Sequence, residues 1–144
     1  YVIIHRHILK YVKRIINREV CYMKYYICEH CGNIIEYVKE SGVPVMCCGQ
    51  KMTEIVPGTS EGAHEKHVPV VIVDGDKVTV EVGEVEHPMV EAHYIQWIAI
   101  ETTRGSQKVK LEYTDKPRAE FKLADGEEFV AAYEYCNLHG LWKK

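Results

Sequence analysis

The amino-acid sequence predicts a mainly β protein, an antiparallel β-sandwich preceded by a small metal-binding domain. Three observations carry that expectation. Short apolar runs alternate with turn clusters through the second half, cysteines crowd residues 28–48, and no convincing helix shows in the second half.

The 144 residues suffice for one ordinary domain, or for a small module joined to a modest one. A net charge of −3 gives no argument for nucleic acid. No apolar run approaches the ~20 residues that span a membrane, and the opening lacks a signal peptide's apolar core and cleavage site. Residues 1–22 carry five Lys/Arg against one Glu, a local +4 that leaves −7 for the rest. Ile4, Ile8, Tyr11 and Ile15 fall at roughly helical spacing there, which would suit a basic helix lying on a membrane surface. An appendage outside the fold is the preferred reading, because Met23 stands directly before "KYYICEHCGN", where organised sequence begins. Cys21 lies in the same stretch and receives no role.

Residues 23–58 form the small domain. Cys28 and Cys31 make a C-x2-C knuckle followed by Gly32, and Cys47 and Cys48 stand side by side sixteen residues later. Such a knuckle sets two thiolates on one side of a tight turn. Adjacent residues of extended chain point opposite ways, so bringing Cys47 and Cys48 to one ion requires a local twist. A vicinal disulfide would leave the C-x2-C unexplained; a four-thiolate site for zinc or iron is the stronger reading. Some 35 residues bury little core, and a metal would supply the missing stability.

Residues 59–144 form the sandwich. "HVPVVIV" and "KVTVEVG" flank the turn signal "DGD". "HYIQWIAIE", "QKVKLEY", "AEFKL" and "EEFVAAYEY" follow, with alternation at Val109, Leu111 and Tyr113 and again at Ala119, Phe121 and Leu123. Six or more short strands without a helix read as an antiparallel sandwich.

Five donors stand at the expected strand ends: His67, His87, His93, Cys136 and His139. Any one of these histidines alone reads better as a surface or core residue. Together, imidazoles with one thiolate suit iron, copper or zinc. "CNLH" is similar to a blue-copper loop, but no Met follows His139 and four histidines are too many for that site. Four imidazoles around a metal with a thiolate beneath would leave one position open on iron.

These motifs closely resemble the desulfoferrodoxin family, the two-iron form of superoxide reductase. The resemblance covers Met23 to Lys144 and rests on "YICEHCGNIIE", "CCGQKM", "EKHVPV", "HPMVEAHYIQWI" and "EYCNLHGLWK". It implies an immunoglobulin-like sandwich preceded by a desulforedoxin-like domain. Two irons per chain are implied, one held by Cys28, Cys31, Cys47 and Cys48. The other would be the catalytic iron, held by His67, His87, His93 and His139 with Cys136 as axial thiolate. Glu65 and Lys66 would sit on a mobile loop over the open position, and His64 is particular to this chain. The implied activity is one-electron reduction of superoxide to hydrogen peroxide, with re-reduction by a donor such as rubredoxin. A homodimer in the cytoplasm of an anaerobe or microaerophile is implied as well. Two rival readings are a pure electron carrier and a zinc-stabilised binding module.

Overall fold

The computed structural model describes residues 23–144. The basic stretch 1–22, with its appendage reading, lies outside the described residues. Among those described, no helix is long and apolar enough to cross a membrane.

The chain begins with strand β1 (Tyr25–Ile27), the Cys28–Cys31 knuckle and β2 (Ile34–Glu36). A two-residue hairpin follows, β3 (Met46–Cys47) with β4 (Gln50–Lys51), and then β5 (Thr53–Ile55). β1 pairs antiparallel with both β2 and β5, giving a three-stranded sheet in the order β2-β1-β5.

After a loop and a single helical turn, α1 (His64–His67), come β6 (Pro69–Asp74) and β7 (Lys77–Val82). Gly75 and Asp76 are the two-residue loop between them, and Gly75 takes the positive φ of 59° that such primed turns demand. β8 (Ile95–Thr102), β9 (Ser106–Lys110), β10 (Arg118–Lys122), β11 (Phe129–Cys136) and β12 (Gly140–Lys143) complete the chain. They assemble into one sheet of order β10-β7-β6 and another of order β12-β11-β8-β9, all neighbours antiparallel. The result is an immunoglobulin-like sandwich of three strands on four.

Its core follows from period-two alternation. Val78, Val80 and Val82 of β7 and Ala119 and Phe121 of β10 face Ile98 and Ile100 of β8 and Ala132 and Cys136 of β11. Two details depart from the sequence reading. α1 is helical, one turn being too short to show a period, and β12 adds a strand. The alternation expected to run on to Tyr113 stops earlier, because β9 ends at Lys110 and the chain turns. The Glu112 N–H there donates to Asp115 Oδ2 at 2.7 Å.

The small sheet is not independent of the sandwich. Tyr25, only 1% exposed, packs with Ala99, Ala131, Tyr133 and Leu141 on the outer face of the four-stranded sheet. Met23 N–H and the Tyr133 hydroxyl both donate to Glu101 Oε2, at 3.2 and 3.0 Å. Both parts therefore share an apolar cluster, which answers how so short a segment finds a core. Tyr25→Ala should cost the whole chain about 3 kcal/mol, the usual scale for deleting a buried aromatic. Denaturant titration of the sandwich reads it; an unchanged midpoint would show that the two parts fold separately.

Candidate metal centres

The four cysteines of the small sheet bring their sulfurs within 4.8 Å of one another. The Cys28 carbonyl accepts from Gly32 N–H at 2.8 Å, and Cys28 N–H donates to the Asn33 carbonyl at 2.9 Å, closing the knuckle. The twist demanded of the adjacent pair is present: Cys48 has φ 51°, the left-handed region, and is the one non-glycine residue among those described that does. Cys31 Sγ and Cys47 Sγ lie 3.6 Å apart, and none of the five described cysteines is in a disulfide. Crowding shows in their acidities. The Cys31 backbone N–H leads in drawing the Cys28 thiol down to about 6, while hydrogen bonding to the Cys31 and Cys47 sulfurs pushes Cys48 up to about 12. Four thiolates this close are stable together only around a cation.

The second group gathers His67, His87, His93, Cys136 and His139, again with ligand atoms within 4.8 Å of one another. α1 supplies His67, and the segment after β7 supplies His87. A tight turn brings His93, its backbone bonded both ways to Val90 (2.8 and 3.0 Å). The last residue of β11 is Cys136, and the loop from there to β12 carries His139. The imidazoles form a ring in the order 67, 87, 93, 139: neighbours lie 4.6–4.8 Å apart at 76–85°, while His67 and His93 face each other at 6.3 Å. Cys136 sits at the core side, completely buried.

Two backbone carbonyls dictate what this ring can bind. His67 Nδ1 lies 2.8 Å from the Ala63 carbonyl and His87 Nδ1 lies 2.7 Å from that of Pro88. A carbonyl only accepts, so both Nδ1 atoms carry the proton and both Nε2 atoms present lone pairs. Yet those two Nε2 atoms stand 3.2 Å apart, and His93 Nε2 is buried with no hydrogen-bond partner among the described residues. No placement of protons on neutral rings satisfies both contacts, whereas a metal ion among the nitrogens satisfies them at once. Burial holds His67 and His93 below the usual range and His87 down at about 4, keeping the rings in their neutral, ligating form. Burial pushes the Cys136 thiol up, and the backbone N–H groups of Leu138 and His139 pull against that. The donor set fits a borderline metal ion.

Several supporting residues were not expected. Trp142, 1% exposed, stacks on His67 at 5.0 Å and donates Nε1–H to the His139 carbonyl at 3.0 Å. The Ser60 hydroxyl donates to that same carbonyl. Asn137 ties the loop to the His93 segment, accepting from Tyr94 N–H at 2.9 Å and donating to the Ala92 carbonyl at 3.1 Å. A Cβ on Gly62 would come within 2.8 Å of Trp142, so only glycine lets the chain pass there. Such roles depend on which distant segments meet, and local pattern carries no signal of them.

Glu65 and Lys66 are exposed on α1. The charge of Lys66 is felt at His93, where it adds to the lowering that burial begins. Their backbone is held from below: Val85 N–H donates to the Glu65 carbonyl at 3.0 Å, and Gly83, at φ 86°, packs under Lys66. A Cβ at Gly83 would lie 2.3 Å from the Val85 carbonyl oxygen and 2.7 Å from that of Lys66. Gly83→Ala should therefore cost about 1–3 kcal/mol and displace α1. Thermal melting checks it, and a midpoint within error of the parent would show that the turn yields without strain.

Comparison with known proteins accords with this geometry. Residues 59–144 match the family model described as Desulfoferrodoxin. The chain belongs to the desulfoferrodoxin family. It is 47% identical over 118 residues to the desulfoferrodoxin of Nitratidesulfovibrio vulgaris (strain Hildenborough), covering 82% of this chain and 92% of that one. A desulfoferrodoxin homolog of Archaeoglobus fulgidus is 43% identical over 121 residues, covering 84% and 95%. Among solved structures, the superoxide reductase from Treponema pallidum superposes with a TM-score of 0.72 at 34% identity, covering 85% of this chain and 98% of that one.

Proposed function

We propose that this chain is a superoxide reductase, reducing superoxide by one electron to hydrogen peroxide. The observation that carries the reading is the ring of four imidazoles with one buried thiol beneath it, supported by the name and overall similarity of the Treponema neighbour. His67, His87 and His93 through Nε2, His139 through Nδ1 and Cys136 through Sγ would hold the catalytic iron; Cys28, Cys31, Cys47 and Cys48 would hold the other. Iron in the first set supplies a one-electron couple.

The chain's own residues do the rest. Because Cys136 lies on the core side, a small anion approaches from the side where α1 exposes Glu65 and Lys66. Lys66 places a positive charge at that approach, while the protein as a whole is acidic. Water held around the Lys66 ammonium is the proton source for peroxide. Glu65 supplies a carboxylate beside the same opening. The N–H groups of Leu138 and His139 point at the Cys136 sulfur and partly offset the rise that burial imposes on its thiol, so the metal would complete the ionisation. Trp142 and Asn137 fix the loop between them.

The same reading assigns residues 23–58 to the four-cysteine domain, residues 59–144 to the catalytic domain, and residues 1–22 to an extension outside both. A rubredoxin-like donor, a homodimer and a cytoplasmic location complete the proposal.

Peroxide yield tests the activity. Iron-loaded protein given superoxide and a chemical reductant should yield equal amounts of peroxide without dioxygen. Release of dioxygen would mark a dismutase, and a colourless, inert protein would mark a zinc-stabilised module. Cys48→Ser should alter only the absorption of the four-cysteine iron and leave superoxide reduction intact with that reductant. An unchanged spectrum would remove the four-cysteine assignment.

A further inference from the structure

A row of aromatic rings lies between the two donor sets. Tyr25 lies on β1, three residues before Cys28. Its ring centroid is 4.8 Å from that of Trp97 on β8. Trp97 stacks on Tyr135 of β11 at 5.6 Å and 7°, the two being direct cross-strand partners. Tyr135 is the residue immediately before Cys136. Between the knuckle and the buried thiol, no ring-to-ring step exceeds 5.6 Å. The longest remaining segment is the β1 backbone from Tyr25 to Cys28, about 10 Å at the usual strand rise.

Packing alone accounts for large side chains at this junction. It does not account for a row of rings that starts on the strand leading into one ligand set and ends at the residue before a ligand of the other. The surroundings also suit a bridge rather than a resting place for a radical. The Lys108 ammonium sits over both Tyr25 (4.7 Å) and Trp97 (5.0 Å), raising the cost of removing an electron from either ring. Glu36 holds that ammonium in place at 3.2 Å. Burial, joined by the Glu36 and Glu101 carboxylates, keeps the resting Tyr25 phenol in its neutral form.

We propose that Tyr25, Trp97 and Tyr135 form an electron-transfer relay through which the four-cysteine site re-reduces the histidine-ring site within one chain. The inference rests on the two-iron reading above. One electron passes: the ferrous four-cysteine iron is oxidised to ferric, and the ferric iron of the histidine ring is reduced to ferrous. No bond forms or breaks and no proton moves. The small domain thereby becomes the entry point for reducing equivalents.

The test uses the full-length, iron-loaded protein with both irons reduced anaerobically and no added reductant. A pulse of superoxide below one equivalent oxidises the histidine-ring iron in a first phase. The relay predicts a second phase in which the absorption of ferric four-cysteine iron appears, first-order and independent of protein concentration. Trp97→Leu and Tyr135→Leu should each lose this phase while the first is unchanged; Trp97→Phe, which keeps a ring and the packing, should retain it. The unaltered static spectrum of the four-cysteine iron reports that each variant is folded. A second phase that scales with protein concentration, one that is absent in the parent, or one that keeps its rate in both leucine variants would overturn the relay. Absence of the first phase would instead overturn the superoxide reductase reading, and the relay with it.

Discussion

Cys136→Ser should abolish superoxide reduction while leaving the four-cysteine iron in place. The Cys136 sulfur is fully buried, receives backbone N–H groups from Leu138 and His139, and lies 3.7 Å from His139 Nδ1. A serine hydroxyl is smaller and harder and stays protonated at neutral pH, so the imidazole ring loses the one anionic donor beneath it. Changes merely beside a metal ligand already cost about 10–100-fold in affinity or activity, and loss of a ligand should exceed about 100-fold. Iron analysis should fall from two per chain towards one, and pulse radiolysis should show no fast reaction with superoxide. Two irons and a parental rate in this variant would remove Cys136 from the site. Cys48→Ser is the mirror control, because it should lose the other iron and keep the rate.

The next largest effect is expected at α1. Lys66→Ala should lower the second-order rate with superoxide by about 10-fold at low ionic strength, and added salt should shrink the difference. The physical basis is the exposed ammonium whose charge is felt at His93. Glu65→Ala should behave differently. The encounter rate should hold, and the colour of the oxidised protein should change if this carboxylate approaches the iron after turnover. Pulse radiolysis of both variants at low and high salt separates the roles. A Lys66→Ala protein that reacts as fast as the parent at low salt would show that this residue gives no electrostatic guidance.

Much of this was legible in the sequence. Strands leave a period of two, and Ala119, Phe121 and Leu123 carried it openly. Metal donors leave a chemical signature that needs no distance information, which is why nine donors could be named before any geometry. The structure gathers them into two groups of four and five. The demand for a twist at Cys47–Cys48 was also readable, and Cys48 meets it with φ 51°. What stayed hidden depends on long-range contact. The glycines at 62 and 83 act through Trp142 and Lys66, which are distant in sequence. The Ala63 and Pro88 carbonyls that set two histidine tautomers are near in sequence, but the way the fold turns them towards the rings is not. Glu134 was silent as well. It is fully buried two residues before Cys136 with neither oxygen partnered among the described residues, and burial raises its pKa well above the carboxylate range.

The shared cluster around Tyr25 has a bearing on how such proteins can change over evolutionary time. Trp97, Tyr133 and Leu141 are apolar because the small sheet covers them. A descendant that deleted residues 23–58 would present those side chains to water as one sticky face on a sheet. Gene truncation alone is therefore a poor route to a one-domain form. The deletion becomes tolerable only alongside polar replacements at 97, 133 and 141, or a new subunit contact over the same face. The composition of these three positions in a one-domain relative should then record which of the two routes its ancestor took.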